Sequence, residues 1–366
     1  MATGSPHSSS QPDSEVVAIR SGEDFDHQRV SAYLKGKLPG SDASLEVVQF
    51  AGGHANLTYL LRFGSTEYVL RRPPNGPVAA GAHDMGREFR VLSRLPDAYP
   101  LAPRAYVFCD DASIIGAPFF VMERRRGTVI RRAIPPEFGG GNDAAINRRI
   151  SEVLIDALAD LHKVDQRAAS LADLGKPDGF LRRQIDGWTA RYVRAQTKEM
   201  AVVDELSRWL REHLPASPVP TLVHNDWRLD NVMLDNRDPG RVVAVFDWDM
   251  CTIGDPLADL GTLLSLWIEA GEGLGGGAQG GGMPSNVPGF LTRREAVERY
   301  GQRRGVDVSQ VPYYYVFGLF KIAVVVQQIY HRFHLGQTKD ERFRSFEQVA
   351  ELLFWMAKSR SENLTI

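Results

Sequence analysis

The stretch His224-Asn225-Asp226-Trp227-Arg228-Leu229-Asp230-Asn231 decides the reading of this chain. It has the form H-x-D-x-x-x-x-N, and Asp247 of Val245-Phe246-Asp247-Trp248-Asp249 follows sixteen residues after Asn231. Phosphoryl transfer asks for such a set. One carboxylate must orient an attacking hydroxyl and take its proton, while an amide oxygen and a second carboxylate hold Mg²⁺ against nucleotide phosphates. Asp226, Asn231 and Asp247 supply those groups, flanked by apolar strand segments. The bland alternative is a turn rich in Asp and Asn, residues that favour turns anyway. Two motifs in this order and spacing weigh against it.

Outward from the motif the pattern changes along the chain. Upstream, Leu45–Phe50, Leu57–Phe63, Glu67–Arg72, Ala105–Cys109 and Pro118–Glu123 read as strands, with Gly64-Ser65 as a hairpin turn. His83 to Leu95 carries a helical stripe. A five-stranded antiparallel sheet with one helix is expected there. After residue 140 helix dominates: Ile150–Leu161, Phe180–Leu214, Leu257–Ile268, Arg293–Arg303, Tyr313–His334 and Lys339–Lys358. Lys321 interrupts the most apolar of these runs. The fold class is therefore α+β with two lobes, a small antiparallel sheet lobe followed by a larger helical one. The expected limits are a disordered tail at 1–20, a sheet lobe at 21–123 and a helical lobe at 124–366. A glycine-rich flexible loop is expected at 271–289, where nine of 34 glycines fall.

Composition excludes several classes. Apolar residues make up 43 % and charged residues 24 % of 366, a globular balance. A net charge of −2 offers no bulk attraction to nucleic acid or to an anionic membrane. No apolar run reaches the roughly 18–20 residues that span a bilayer. The first residues lack the apolar segment of a signal peptide. Two cysteines, Cys109 and Cys251, exclude a disulfide framework or a cysteine zinc site, and suit a reducing cytosol. A small-molecule substrate is expected, with neither nucleic acid nor membrane as partner.

The H-x-D-x-x-x-x-N loop, the apolar-Asp-Trp-Asp strand end and Gly254-Asp255-Pro256-Leu257-Ala258-Asp259-Leu260 together resemble the aminoglycoside phosphotransferase/choline kinase family, relatives of the protein kinases. The resemblance covers about Ser44 to Ala357. It implies a protein-kinase-like fold using ATP and Mg²⁺, with Asp226 as catalytic base and Asn231 and Asp247 as metal ligands. His224 would brace the loop. Asp249 and Asp255 are open between support of that loop and, for Asp255, capping of the helix that begins at Pro256. Asp255 and Asp259 are read as structural.

The sheet lobe should hold ATP. Phe50-Ala51-Gly52-Gly53-His54-Ala55-Asn56 sits between two strands, and small residues let backbone N–H groups approach phosphate. It resembles the family's G-G-x-S-N loop, which points to Gly52, Gly53 and Asn56. Where protein kinases carry a phosphate-binding lysine, Val69-Leu70-Arg71-Arg72-Pro73 presents Arg71, with Glu88 on the next helix as its ion-pair partner. The alternatives are an edge-strand charge for Arg71 and an exposed helix charge for Glu88. By order along the chain, Met122 and Glu123 fall where kinases offer backbone groups to adenine.

The V-L-R-R-P-P run, Met122–Val129 and Phe246–Pro256 look like the kinase-like domains associated with acyl-CoA dehydrogenases. By that resemblance the acceptor is a hydroxyacyl-CoA. Arg62 to Arg132 holds twelve arginines, no lysine and seven acids, which suits polyanions. Arg124-Arg125-Arg126 reads as a solvated surface run, with contact to CoA phosphates as the alternative. Cys251–Thr292 has only four acids, thin support for a polycationic aminoglycoside. The remaining alternative is a non-catalytic nucleotide-binding pseudokinase, against which the complete Asp226, Asn231 and Asp247 set argues.

Overall fold

The computed structural model describes residues 15–52, 56–75, 84–272 and 282–366. They form two compact units. One takes the chain up to Ser93 together with Arg104–Arg124; the other takes Arg94–Pro103 and Arg125–Ile366.

The first unit contains β1 (Val16–Val17), α1 (His27–Leu34), β2 (Leu45–Phe50), β3 (Leu57–Phe63), β4 (Thr66–Arg72), α2 (Met85–Leu92), β5 (Ala105–Cys109), α3 (Ala112–Ile115) and β6 (Phe119–Glu123). Its sheet has the order β1-β2-β3-β4-β6-β5, antiparallel throughout. Gly64, at φ +59°, makes the tight β3–β4 turn that pairs Phe63 with Thr66. Val30 and Leu34 of α1 pack with Tyr59, Leu61, Leu70 and Phe119 in one buried cluster. The sheet has six strands rather than the five expected. Val16 pairs with Phe50 and Ala51 N–H donates to Glu15 O, so residues 15–20 are not part of a disordered tail. Two-residue strands carry too little pattern to be read from sequence.

The second unit contains β7 (Thr128–Val129), α4 (Ala144–Leu161), α5 (Phe180–Ala195), α6 (Ala201–Glu212), β8 (Thr221–Val223), β9 (Val232–Leu234), β10 (Val242–Val245), β11 (Thr252–Gly254), α7 (Pro256–Leu266), α8 (Arg293–Arg304), α9 (Val311–His334) and α10 (Phe346–Asn363). Its strands form two small sheets, β10-β9-β7 and β11-β8. The division at residue 123/124 needs correction, because Arg94–Pro103 belongs to the helical unit. Val245 N–H donates to Leu101 O at 2.8 Å, and Tyr99 Oη donates to Ala157 O at 2.8 Å. The expected helix 180–214 is two helices: Gln196 is extended, and Gln327 Nε2 takes up the Ala195 carbonyl at 2.9 Å. The last helix begins at Phe346, after a short 3₁₀ turn at Glu341–Ser345.

Two glycines set the packing that matters most. A Cβ on Gly261 of α7 would come within 2.1 Å of Tyr314 O, and one on Gly318 of α9 within 2.2 Å of Gly261 O. Only glycine at both positions lets these helices touch backbone to backbone. Of the glycine-rich stretch 271–289, residues 273–281 lie outside the described residues. The expectation of a flexible loop fails on their C-terminal side. Met283 and Ser285 are buried, with Met283 N–H on Leu266 O and Ser285 Oγ exchanging hydrogen bonds with Ile268. Among the described residues no helix is long and apolar enough to cross a membrane.

Candidate active site

The motif residues His224 to Asn231 connect β8 to β9, and α7 and α9 hold that connection. Asp259 of α7 accepts His224 N–H at 2.6 Å with Oδ2 and Asn225 N–H at 2.7 Å with Oδ1. Its Oδ2 also faces His162 Nε2 at 3.3 Å, while His162 Nδ1 meets Tyr300 Oη at 2.7 Å. Burial alone would push the Asp259 carboxyl up; the His162 hydrogen bond and the nearby positive groups hold it below its ordinary value.

Asn225 has φ +65°, a conformation that asparagine tolerates better than most residues. Two further contacts fix it besides Asp259. Its Nδ2 donates to Met250 O at 2.9 Å, and Lys321 Nζ of α9 donates to its carbonyl at 2.7 Å. His224 settles its own tautomer. Nε2 lies 2.9 Å from Phe246 O and must donate there, which leaves Nδ1 to accept Asp226 N–H at 3.3 Å. Burial depresses the His224 pKa, in keeping with a neutral ring. The ring packs at 4.8 Å from Trp248 and 5.6 Å from Trp227, both fully buried. His224 is thus a brace for the backbone.

Asn231 Nδ2 donates to Asp226 O at 2.8 Å and to Asp226 Oδ2 at 2.9 Å. Its backbone carbonyl accepts Phe246 N–H at 2.8 Å, which ties the motif to the strand end carrying Asp247. With both Nδ2 hydrogens engaged on Asp226, Asn231 Oδ1 is left as an acceptor without a donor among the described residues. Asp247 sits at φ +66°, a left-handed conformation that aspartate and asparagine adopt more readily than most residues. Asp226 and Asp247 interact electrostatically. Burial first, then the Asp247 charge, push the Asp226 carboxyl up to about 6, against the opposing pull of Arg228 and Lys321. An amide oxygen and a carboxylate are hard oxygen donors of the kind Mg²⁺ takes when phosphate and water complete its shell. Asn231 and Asp247 therefore fit that ion. No cluster of three His, Cys, Asp or Glu side chains among the described residues offers a cage of another sort.

Asp255 caps α7 and does not reach the motif. Its Oδ1 accepts Leu257 N–H at 3.0 Å and its Oδ2 accepts Tyr314 Oη at 2.6 Å. Burial pushes its carboxyl up to about 6 despite those bonds.

In the sheet unit Arg71 Nε lies 3.0 Å from Glu88 Oε2, with the Glu88 side chain 1 % exposed. Arg71 pairs across the sheet with Thr58 and Phe120, and Asp84 caps the helix that carries Glu88. The readings of these two as edge-strand and exposed helix charges are excluded by burial. Asn56 is buried at the start of β3 and Gly52 lies between β2 and β3, while Gly53 falls outside the described residues. Met122 is buried opposite Val69. Glu123 gives its backbone N–H to Arg104 O at 2.9 Å, so that amide is already engaged within the sheet. The arginine run is not a solvated one at its start. Arg124 pairs with Glu15 at 3.0 Å and lies over the Phe50 ring, and Arg125 donates to Pro100 O at 3.0 Å.

Sequence reasoning passed over Lys321 as a functional residue, although a lone lysine inside an apolar helix was visible. Asp259, read as structural, holds that role by clamping the backbone beside Asp226.

The fold and this arrangement define a small-molecule kinase with a protein-kinase-like fold. Residues 46–290 match the phosphotransferase enzyme family, APH, and the chain belongs to it. It is 34 % identical over 336 residues to mouse (Mus musculus) acyl-CoA dehydrogenase family member 11, covering 90 % of this chain and 42 % of that protein. It is 29 % identical to the probable acyl-CoA dehydrogenase IBR3 of Arabidopsis thaliana, covering 90 % of this chain and 42 % of that one. The chain thus spans less than half the length of the curated relatives it matches. Among solved structures it resembles an aminoglycoside phosphotransferase candidate of Ralstonia eutropha, at TM-score 0.80 and 29 % identity over 93 % of this chain and 99 % of that one. Choline kinase of Cryptosporidium parvum shares the fold at TM-score 0.58 and 12 % identity, over 93 % and 96 % of the two chains.

Proposed function

We propose that this chain transfers the γ-phosphoryl group of ATP to the hydroxyl of a small anionic metabolite, foremost a hydroxyacyl-CoA. The observation that carries the phosphotransfer reading is the grip of Asn231 on Asp226. By holding Oδ2 at 2.9 Å, Asn231 leaves Asp226 Oδ1 to accept the hydroxyl proton. The acceptor oxygen then forms a bond to the γ-phosphorus as the bond to the β,γ-bridging oxygen breaks, with the proton on Asp226 and ADP departing. Asn231 Oδ1 and the Asp247 carboxylate would hold Mg²⁺. When bound, that ion neutralises phosphate charge. Arg71, aimed by Glu88, would bind nucleotide phosphate, together with backbone around Gly52, Gly53 and Asn56. Met122 and Glu123 would flank adenine. Both cysteines are buried thiols outside any disulfide, which suits a reducing cytoplasm.

Support for the acyl-CoA acceptor comes from the kinship with proteins named as acyl-CoA dehydrogenases over nine-tenths of this chain. The likeness to an aminoglycoside phosphotransferase candidate supports a second reading, an antibiotic as acceptor. Incubation with Mg·ATP and a 4-hydroxyacyl-CoA panel, followed by mass spectrometry for one added phosphoryl group, tests the proposal. Phosphorylated kanamycin beside an inert acyl-CoA panel overturns the acceptor assignment. No phosphorylated acceptor of any kind, with Mg·ATP bound, returns the reading to a pseudokinase.

A further inference from the structure

A line of positive charge leads away from the motif within the helical unit. Lys321, 6 % exposed, donates to the carbonyl of Asn225, the residue before Asp226. Its Nζ also lies 5.7 Å from the ring centroid of Trp188 on α5. The Arg191 guanidinium lies 4.4 Å from the centroid of that same ring, one helical turn along. Arg194 follows one turn further, exposed in the last turn of α5.

Arg191 is the anomaly in this line. It is half-buried, yet among the described residues its guanidinium makes no hydrogen bond and no ion pair. The positive charges of Arg194 and Lys321 both act on Arg191 with its own sign. The acid on its own helix, Asp186, is engaged by Arg211 at 2.8 Å. Trp188 does not serve as its hydrogen-bond partner either, since the indole N–H goes to Gln184 Oε1 at 3.2 Å. Several other partly buried arginines are matched by acids, Arg293 by Glu269 and Glu272, Arg299 by Asp156 and Arg124 by Glu15, whereas Arg304 is half-buried with its Nε unpartnered. A desolvated arginine stacked on an aromatic ring, with its planar fork unused, is the usual means of seizing a carboxylate or phosphate.

We propose that Arg191, stacked on Trp188 with Lys321 beside the same ring, binds an anionic group, phosphate or carboxylate, of the acceptor whose hydroxyl meets Asp226. This rests on the phosphotransfer reading for the word acceptor, and deepens it by placing the acceptor's charge on α5. It also transfers the role of anion binding from Arg124–Arg125, which are engaged internally, to a guanidinium that is not.

Binding and turnover separate the two readings. Calorimetric titration of wild-type, Arg191→Ala and Arg191→Lys protein, each saturated with Mg·ADP, uses CoA, pantetheine and 4-hydroxypentanoate as probes. The expected result is at least tenfold weaker binding of one anionic probe in Arg191→Ala, partial recovery in Arg191→Lys, and no change for uncharged pantetheine. An effect on CoA assigns a phosphate; an effect on 4-hydroxypentanoate assigns a carboxylate. Equal affinities in wild type and Arg191→Ala, or no binding of either anion, overturn the site. If 4-hydroxypentanoyl-CoA is not phosphorylated but anion binding depends on Arg191, the acceptor reading fails and this site stands. If it is phosphorylated with an unchanged KM in Arg191→Ala, the site fails and the phosphotransfer reading stands.

Discussion

Asp259 and Asn225 are joined by a 2.7 Å hydrogen bond from backbone N–H to carboxylate, across 34 residues of chain. That bond, with its neighbour from His224 N–H, holds the backbone at a left-handed residue next to Asp226. A buried carboxylate accepting two backbone N–H groups leaves both unsatisfied when it is removed. Asp259→Ala should therefore lose about 3–5 kcal/mol of stability, more than a surface change of equal size. Urea unfolding measures this; a loss below about 1 kcal/mol would show that water or another side chain takes over the clamp.

Asp226→Asn keeps the shape of the side chain and an oxygen for Asn231 Nδ2 while removing the base. Turnover should fall about 10²–10⁴-fold, with the KM for ATP within a few-fold of wild type. Steady-state kinetics on a confirmed acceptor decide it, and near-normal kcat would sink the assignment of the base.

Asn231 and Asp247 are expected to act together on Mg·ATP. Asp247→Asn is the informative variant, because asparagine tolerates φ +66° and the fold is spared. Its affinity for Mg·ATP should drop at least about tenfold, while affinity for metal-free ATP changes little. Unchanged Mg·ATP binding by calorimetry would place the ion elsewhere.

Arg71 and Glu88 form a buried pair at 3.0 Å. Either single alanine variant should raise the KM for ATP, Arg71→Ala more strongly. The double variant should fall short of the sum, with a coupling of about 1–3 kcal/mol. Additive effects would mean that Glu88 does not aim Arg71.

Asp255 supplies a pH dependence of stability. Its folded carboxyl is raised to about 6, chiefly by burial, above the ordinary value near 3.8. A raised carboxyl favours the protonated folded state, so its contribution is present below about pH 4 and lost as pH rises through about 6. Asp255→Asn keeps a capping side chain and cannot ionise. Relative to that variant, the wild type should lose about 2–3 kcal/mol between pH 4 and pH 7. A constant difference across that range in paired denaturant titrations would refute the shift.

Much of this protein was legible in its residues. The strands of the sheet lobe alternate or run apolar between turn residues, and Arg71 lies at the end of one of them. Asp226, Asn231 and Asp247 come within a span of 22 residues, so their grouping is a local property that spacing reveals. So is the capping of α7 by Asp255 ahead of Pro256. Tertiary structure alone decided the rest. Whether Arg71 meets Glu88 or solvent depended on how α2 packs on the sheet. Lys321 reaches Asn225 across 96 residues, and Asp259 reaches it across 34. α7 and α9, which carry Asp259 and Lys321, approach until their backbones touch because both Gly261 and Gly318 lack a Cβ. The left-handed turns at Asn225 and Asp247 belong to the same category. Neither residue demands that conformation; at Asn225 the hydrogen bonds converging from α7, α9 and Met250 hold it.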